Sequence, residues 1–182
     1  MTTQIDRFVH DRMPAAADLP QMIYELPELR IPEEVNAVVA LLDRHVACGH
    51  GERVLLRDAR GALTYAQVLY RVNQTARVLT EDYGLVTGNR VLLRGGNSID
   101  MAIGWLATVK AGLIAVATMP RLRASELAAV VQKGEIGFAL CADALQRAVG
   151  CAFDRGQALS QQAALERGQV PQHLARAGHA VE

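Results

Sequence analysis

Aromatic residues are scarce: Phe, Trp and Tyr make up 4% of the 182 residues, although 51% of the chain is hydrophobic. Alanine, valine and leucine therefore carry the apolar mass, and there is enough of it for a sizeable core in one domain or slightly more. Neither charge sign is in excess. The 19 basic and 19 acidic residues leave a net charge of zero, which excludes the clustered basic surplus of a nucleic-acid footprint. Cysteine is limited to Cys48, Cys141 and Cys151. An odd number without a CxxC spacing does not make a disulfide framework and fits a reducing, cytoplasmic setting. A long apolar run is also missing. The best candidate, Ile99–Pro120, is interrupted by Asp100 and Lys110, whereas a membrane span needs about 20 mostly apolar residues. The first 20 residues hold Asp6, Arg7, Asp11, Arg12 and Asp18 and no apolar centre, unlike a secretory signal.

What is present is organised around Arg90–Leu127. Val91, Leu92 and Leu93 form a short apolar run that predicts a strand, broken at Gly95-Gly96-Asn97. Asn97 or Ser98 can cap the helix that follows, because a short polar side chain accepts from the free amides of a first turn. From Ile99 to Ala111 the helix is apolar on nearly every face, including Met101, Ile103, Trp105, Leu106 and Val109. Such a helix is expected to be buried, with Met101 and Trp105 in the core. Gly112 ends it. Leu113–Thr118 then reads as a second buried strand closed by Met119-Pro120. Strand, helix and strand with continuous apolar runs describe a right-handed parallel βαβ unit. Ile136–Cys141 predicts a third parallel strand, reached through a short helix over Ala124–Lys133 that ends at Gly134. The fold class is thus α/β, a mostly parallel sheet flanked by helices. Ile103, Leu106, Val91, Leu93, Ile114 and Val116 are its expected core.

The flanks divide the chain into an arm (1–32), an α/β unit (33–150) and a tail (151–182). The arm is polar, holds Pro14, Pro20, Pro27 and Pro32, and is expected to lie extended on the surface. Val35, Val38, Leu42 and Val46 give Glu33–Cys48 a helical stripe ended by Gly49-His50-Gly51. Arg53–Arg57 and Ala62–Thr64 predict two strands turning at Asp58–Gly61. Thr64 and Gln67 have the capping-box spacing before a helix carrying Val68, Leu69, Val72, Ala76 and Leu79 on one side. It stops near Gly84, and a last helix is expected over Ala142–Val149. The tail has five glutamines and mostly alanine for apolar residues. Its favoured reading is a weakly packed end, with Gln157–Arg167 as a weak helix ended by Pro171. The sharper reading is a replaced C-terminus.

Residues from LTYAQ (63–67) to FALCADAL (138–145), with GNRVLL, VKAG and PRLRASEL between them in order, resemble the N-terminal region of adenylate-forming acyl-CoA synthetases, the AMP-binding superfamily. RVLLRG, IAVATMP and FALCAD, and the arm segments DRFVHDRMPAAADLPQM and YELPEL, are similar to the benzoate- and 2-aminobenzoate-CoA ligase branch, with its link to aromatic degradation. The resemblance covers roughly the first 150 residues. It implies a two-step enzyme: a carboxylate attacks ATP to give an acyl-adenylate and pyrophosphate, and the CoA thiol then displaces AMP. ATP, magnesium and CoA are implied for the complete enzyme. The family's Ser/Thr/Gly-rich phosphate loop has no counterpart here; neither a TSGTTG-like run, a GxxxxGK[ST] motif nor GxGxxG occurs. The family's catalytic lysine lies in a C-terminal domain that is also missing. The chain therefore reads as the front part of a ligase, inactive alone. The alternatives are half of a split enzyme, or a non-catalytic module reusing the fold. Its expected partner is a second copy of itself, or the missing part of the ligase.

By the same resemblance Arg121, directly after Pro120 at the end of a parallel strand, is a candidate contact for CoA's phosphates, with Arg123 as a second. The blander reading is a solvated basic pair, in a place where a helix start repels cations. Arg123 stands where a capping Ser or Thr is usual, with Glu126 three residues on. Gly95-Gly96-Asn97 could cradle a phosphate, but a tight strand-to-helix turn is the simpler reading. His45, Cys48 and His50 form an HxxCxH cluster without the second cluster that a four-ligand zinc site needs. Cys141 ends an apolar strand and reads as a buried structural thiol. His173 and His179 in the tail support no assignment. No catalytic residue and no metal ligand is assigned.

Overall fold

A computed structural model describes residues 3–21, 23–32, 34–156 and 161–165. Helix α1 covers residues 37–50 and is wound in wide i→i+5 turns over Val39–Asp43 and Val46–His50. It breaks at Gly49, whose φ is +84°. Asn36 starts it: its Oδ1 accepts from the Val38 amide at 3.0 Å, and its Nδ2 donates to the carbonyls of Val109 and Lys110 at 3.1 and 3.0 Å. One side chain thus joins the start of α1 to the end of another helix and satisfies orphan groups at both. Strands β1 (Val54–Asp58) and β2 (Gly61–Thr64) form an antiparallel hairpin. Helix α2 (Tyr65–Arg77) follows, continuing through a wide-turn segment, Val78–Asp82. Its expected capping box is present: the Gln67 amide donates to Thr64 Oγ1 at 3.3 Å and the Thr64 amide donates to Gln67 Oε1 at 2.9 Å.

The organising stretch folds as β3 (Arg90–Arg94), α3 (Ile99–Lys110), β4 (Ile114–Thr118), α4 (Ala124–Lys133) and β5 (Phe138–Ala142). Helix α5 (Gln146–Gly156) is reached through the short turn Asp143–Leu145 and runs past the expected Val149. Ser98, not Asn97, caps α3, accepting from the Met101 amide at 3.2 Å. Strands β3, β4 and β5 are parallel, and the strand order is β4-β3-β5-β6. Strand β6 (Gln161–Leu165) pairs parallel with β5, from Phe138 opposite Gln161 to Ala142 opposite Leu165. Residues 161–165 are therefore extended, not part of the helix expected over Gln157–Arg167. A weak local preference yields to a row of unpaired amides and carbonyls at a sheet edge. The rest of that segment, Pro171, His173 and His179 lie outside the described residues, as does Glu33.

Two apolar layers cover the sheet. Val91 and Leu93 point to one face, where they meet Ile99, Ile103 and Ala107 of α3 and Val68 and Val72 of α2. Leu92, Ala139 and Cys141 point to the other, against Val131 of α4 and Val149 and Phe153 of α5. This alternation is the period-2 consequence of strand geometry. The expected core needs correction at five residues. Met101, Leu106, Ile114 and Val116 are half-buried, and Trp105 is 41% exposed. β4 lies at the end of the strand order, so its side chains are covered incompletely. Helix α3 packs on the sheet and α2, and its Trp105 and Leu106 line an open groove. The uniform hydrophobicity of α3 therefore overstated its burial.

The arm is lashed to the amino end of the sheet. The Ile5 amide donates to Thr87 Oγ1 at 3.0 Å and the Asp6 amide to the Thr87 carbonyl at 2.9 Å. Asp6 accepts from Asn89 Nδ2 at 2.8 Å and forms an ion pair with the buried Arg90. The Phe8 ring lies between the guanidinium groups of Arg12 and Arg90, 3.8 and 4.3 Å from its centroid. Gly88 makes this docking possible: its φ is +92°, and a Cβ there would stand 2.1 Å from the Asp6 carbonyl oxygen.

Candidate functional site

Strand order selects the place to look. The chain leaves β3 through α3 toward β4, and leaves β5 through α5 toward β6, on the opposite face and in the opposite direction. Ligands of open α/β sheets bind where such connections diverge, outside the carboxyl ends of the strands. In this sheet the crevice is floored by the register pair Arg94 and Cys141, the last residue of β3 and the penultimate residue of β5. Gly95 follows at once. A Cβ on it would lie 2.3 Å from Met101 Cε, so its absence lets Met101 pack beneath the turn. A tight strand-to-helix turn accounts for this glycine.

Arg94 is 2% exposed. Its Nη2 donates to the carbonyls of Pro120 and Leu122 at 2.8 and 2.7 Å, pinning the loop after β4. Thr118 Oγ1 donates to the Leu93 carbonyl at 3.2 Å, and the Leu122 amide donates to the Met119 carbonyl at 3.2 Å. Burial pulls the Arg94 guanidinium below its ordinary pKa, opposed by the neighbouring Cys141 sulfur. A guanidinium remains a cation at any working pH. Burial also pushes the Cys141 thiol up, Asp143 adds to this and Arg94 opposes it. Cys141 is thus a protonated structural thiol, not a nucleophile. Nothing in the sequence pattern of β3 singled out Arg94, because a charged residue ending an apolar run reads as the exposed end of a strand.

The two arginines picked out from the sequence flank this pinned loop. Arg121 and Arg123 are exposed, and neither forms an ion pair among the described residues. Arg123 holds the N-cap position of α4, where its backbone amide donates to Glu126 Oε2 at 2.6 Å. The half of a capping box that Glu126 supplies is present, and the hydroxyl half is not. The HxxCxH residues are not brought together as ligands. His45 stacks on Tyr65 at 5.3 Å and meets the His50 ring edge-on at 6.0 Å, while Cys48 is exposed. Among the described residues no three His, Cys, Asp or Glu side chains are grouped to hold a metal ion, and no helix is long and apolar enough to cross a membrane.

Comparison with known proteins places this geometry. Residues 42–180 match the family described as AMP-binding enzyme. The chain belongs to the AMP-binding enzyme family. It is 31% identical over 100 residues to the benzoate–CoA ligase of Thauera aromatica, covering 55% of this chain and 19% of that protein. It is equally 31% identical over 116 residues to the acetyl-coenzyme A synthetase of Mycobacterium tuberculosis (strain ATCC 25618 / H37Rv), covering 60% and 18%. Among solved structures, the anthranilate CoA ligase AuaEII in complex with anthranoyl-AMP superimposes with a TM-score of 0.71 at 19% identity, over 81% of this chain and 28% of that one. At that identity the likeness is one of fold, that of the N-terminal domain of adenylate-forming ligases. The chain spans about a fifth of the length of the curated AMP-binding relatives it matches.

Proposed function

We propose that this chain is the N-terminal part of an aromatic-acid CoA ligase and does not form acyl-adenylates by itself. The family match over residues 42–180, in a chain spanning about a fifth of its relatives, carries this reading. In the complete enzyme, ATP and magnesium would serve adenylation and CoA would take the acyl group. The residues at hand fit these groups unequally. Arg121 and Arg123, exposed and without ion pairs among the described residues, suit the phosphates of CoA. For ATP and magnesium the sequence has no TSGTTG-like phosphate loop, and among the described residues no three His, Cys, Asp or Glu side chains are grouped to hold a metal ion.

An aromatic acid is favoured by the Thauera aromatica relatives, which are a benzoate–CoA ligase and a 3-hydroxybenzoate/4-hydroxybenzoate–CoA ligase. Acetyl-coenzyme A synthetases match over a similar length, so acetate is the competing substrate class. The test is ATP–pyrophosphate exchange by the purified chain with benzoate, 2-aminobenzoate and acetate. No acid-dependent exchange is expected, and exchange above background refutes the inactive-fragment reading. Adding a polypeptide that carries the phosphate loop and C-terminal domain should restore exchange, with benzoate or 2-aminobenzoate preferred to acetate.

Association completes the proposal. Leu41, Trp105, Leu55, Leu56 and Tyr65 line an apolar groove of about 530 Å3, with Leu41 63% exposed and Trp105 41% exposed. Exposed apolar surface of this kind favours a partner. We propose a symmetric homodimer in isolation, replaced by pairing with the remaining part of the ligase when that is present. Light scattering across a concentration series tests it: a monomer at all concentrations refutes the dimer.

A further inference from the structure

Arg94 is poorly explained as a simple turn support. Two carbonyls at 2.8 and 2.7 Å are met by one of its nitrogens, while its buried Nε and Nη1 have no partner among the described residues. It makes no ion pair there either. A buried cation lacking a counter-charge is costly, and a neutral donor could hold a turn at less expense. The position of the charge is informative. It lies at the divergence point of the sheet, directly beneath a loop whose two arginines face solvent. The carbonyls on both sides of Arg121 are turned inward onto Arg94, so the peptide units that orient the Arg121 side chain are fixed from below. Arg94 thus sits beneath the loop that carries Arg121 and Arg123.

We propose that Arg94 is a positioning residue for a phosphate-binding loop: it holds the 119–123 backbone so that Arg121 and Arg123 face one anionic ligand, and its buried charge adds to their field. This rests on the reading of the chain as part of a CoA ligase, which makes the phosphates of CoA the ligand. The cost of burying Arg94 is offset when the ligand's negative charge arrives.

The test is calorimetric titration of the full chain with CoA at two salt concentrations, in wild type, R94M, R94K and R121A. Hydrogen exchange of the Leu122 and Arg123 amides is followed without ligand. Loss of the clamp should weaken CoA binding roughly tenfold in R94M, the scale of one charge-assisted contact. R94M should also flatten the salt dependence and speed exchange at both amides. R94K keeps the charge on a single donor nitrogen, and should recover part of the affinity and the salt dependence. A turn support alone would change amide exchange and leave the salt dependence as it was. Wild-type-like CoA binding by folded R94M overturns the inference and leaves the ligase reading standing. If R94M does not fold, R94K decides: weaker binding with loosened amides supports the proposal, and unchanged binding overturns it. Absence of CoA binding by the wild type overturns both the CoA site and the role of Arg94. Binding that R121A leaves unchanged removes Arg121 from the site, and the inference with it.

Discussion

Replacing Asp6 by Asn should release the N-terminal arm from the sheet. Arg90 is held by the Asp6 carboxylate and by the carbonyls of Gly88, Gly134 and Glu135 at 3.1, 2.9 and 2.9 Å, and its side chain is 7% exposed. Asn removes the counter-charge and can turn its amide donors toward a guanidinium. Breaking a fully buried pair costs about 3–5 kcal/mol. Asp6 is 23% exposed, so about 2–3 kcal/mol is expected here. At 1.36 kcal/mol per factor of ten, the undocked population rises roughly 30- to 160-fold. Burial pushes the Asp6 carboxyl up, but the Phe8 amide, the Arg90 guanidinium and the Asn89 side chain together outweigh it and hold it below its ordinary value. A depressed folded pKa gives a stabilisation that is complete above the unfolded value of about 3.9 and is lost as pH falls through the folded value. Hydrogen exchange at the Ile5, Asp6 and Phe8 amides at pH 7 reads the local opening, and urea unfolding between pH 7 and pH 3 reads the linkage. Wild-type-like exchange of D6N at pH 7 refutes the docking role of the Asp6–Arg90 pair. A difference in stability between D6N and the wild type that persists unchanged at pH 3 refutes it equally.

Gly88→Ala should undock the same arm by another route, since its Cβ would stand 2.1 Å from the Asp6 carbonyl oxygen at a φ of +92°; arm exchange should rise with the sheet intact. Phe138→Ala, at a side chain 1% exposed and edge-on to Tyr83 at 4.8 Å, should cost about 3–5 kcal/mol in urea unfolding. Glu135→Gly should raise stability by about 0.5–1 kcal/mol, because Glu135 holds φ +45° where a side chain is strained. Its ion pair to Arg12 at 3.0 Å is exposed on both sides and offsets little of that gain.

The sequence by itself determined the order and type of the central elements. Continuous apolar runs in β3 and β5, the Thr64 and Gln67 capping box, and the Gly112 stop of α3 at φ +73° are local signals with local causes, and each appears as expected. Short stretches matching in order were enough to reach the family. The tertiary structure alone decided which faces of those elements are covered. Trp105 is as hydrophobic as its neighbours on α3, yet it lines an open groove with Leu41 and Tyr65 and stays 41% exposed. Residues 161–165 carry little local preference and became a strand because β5 offered them an unpaired edge. The left-handed turn after α4 fell on Glu135, not on Gly134, just before the fully buried Ile136. Arg94 was invisible for the same reason. Its sequence neighbours are Leu93 and Gly95, but its partners are the carbonyls of Pro120 and Leu122, which only the crossover from β3 to β4 brings above it.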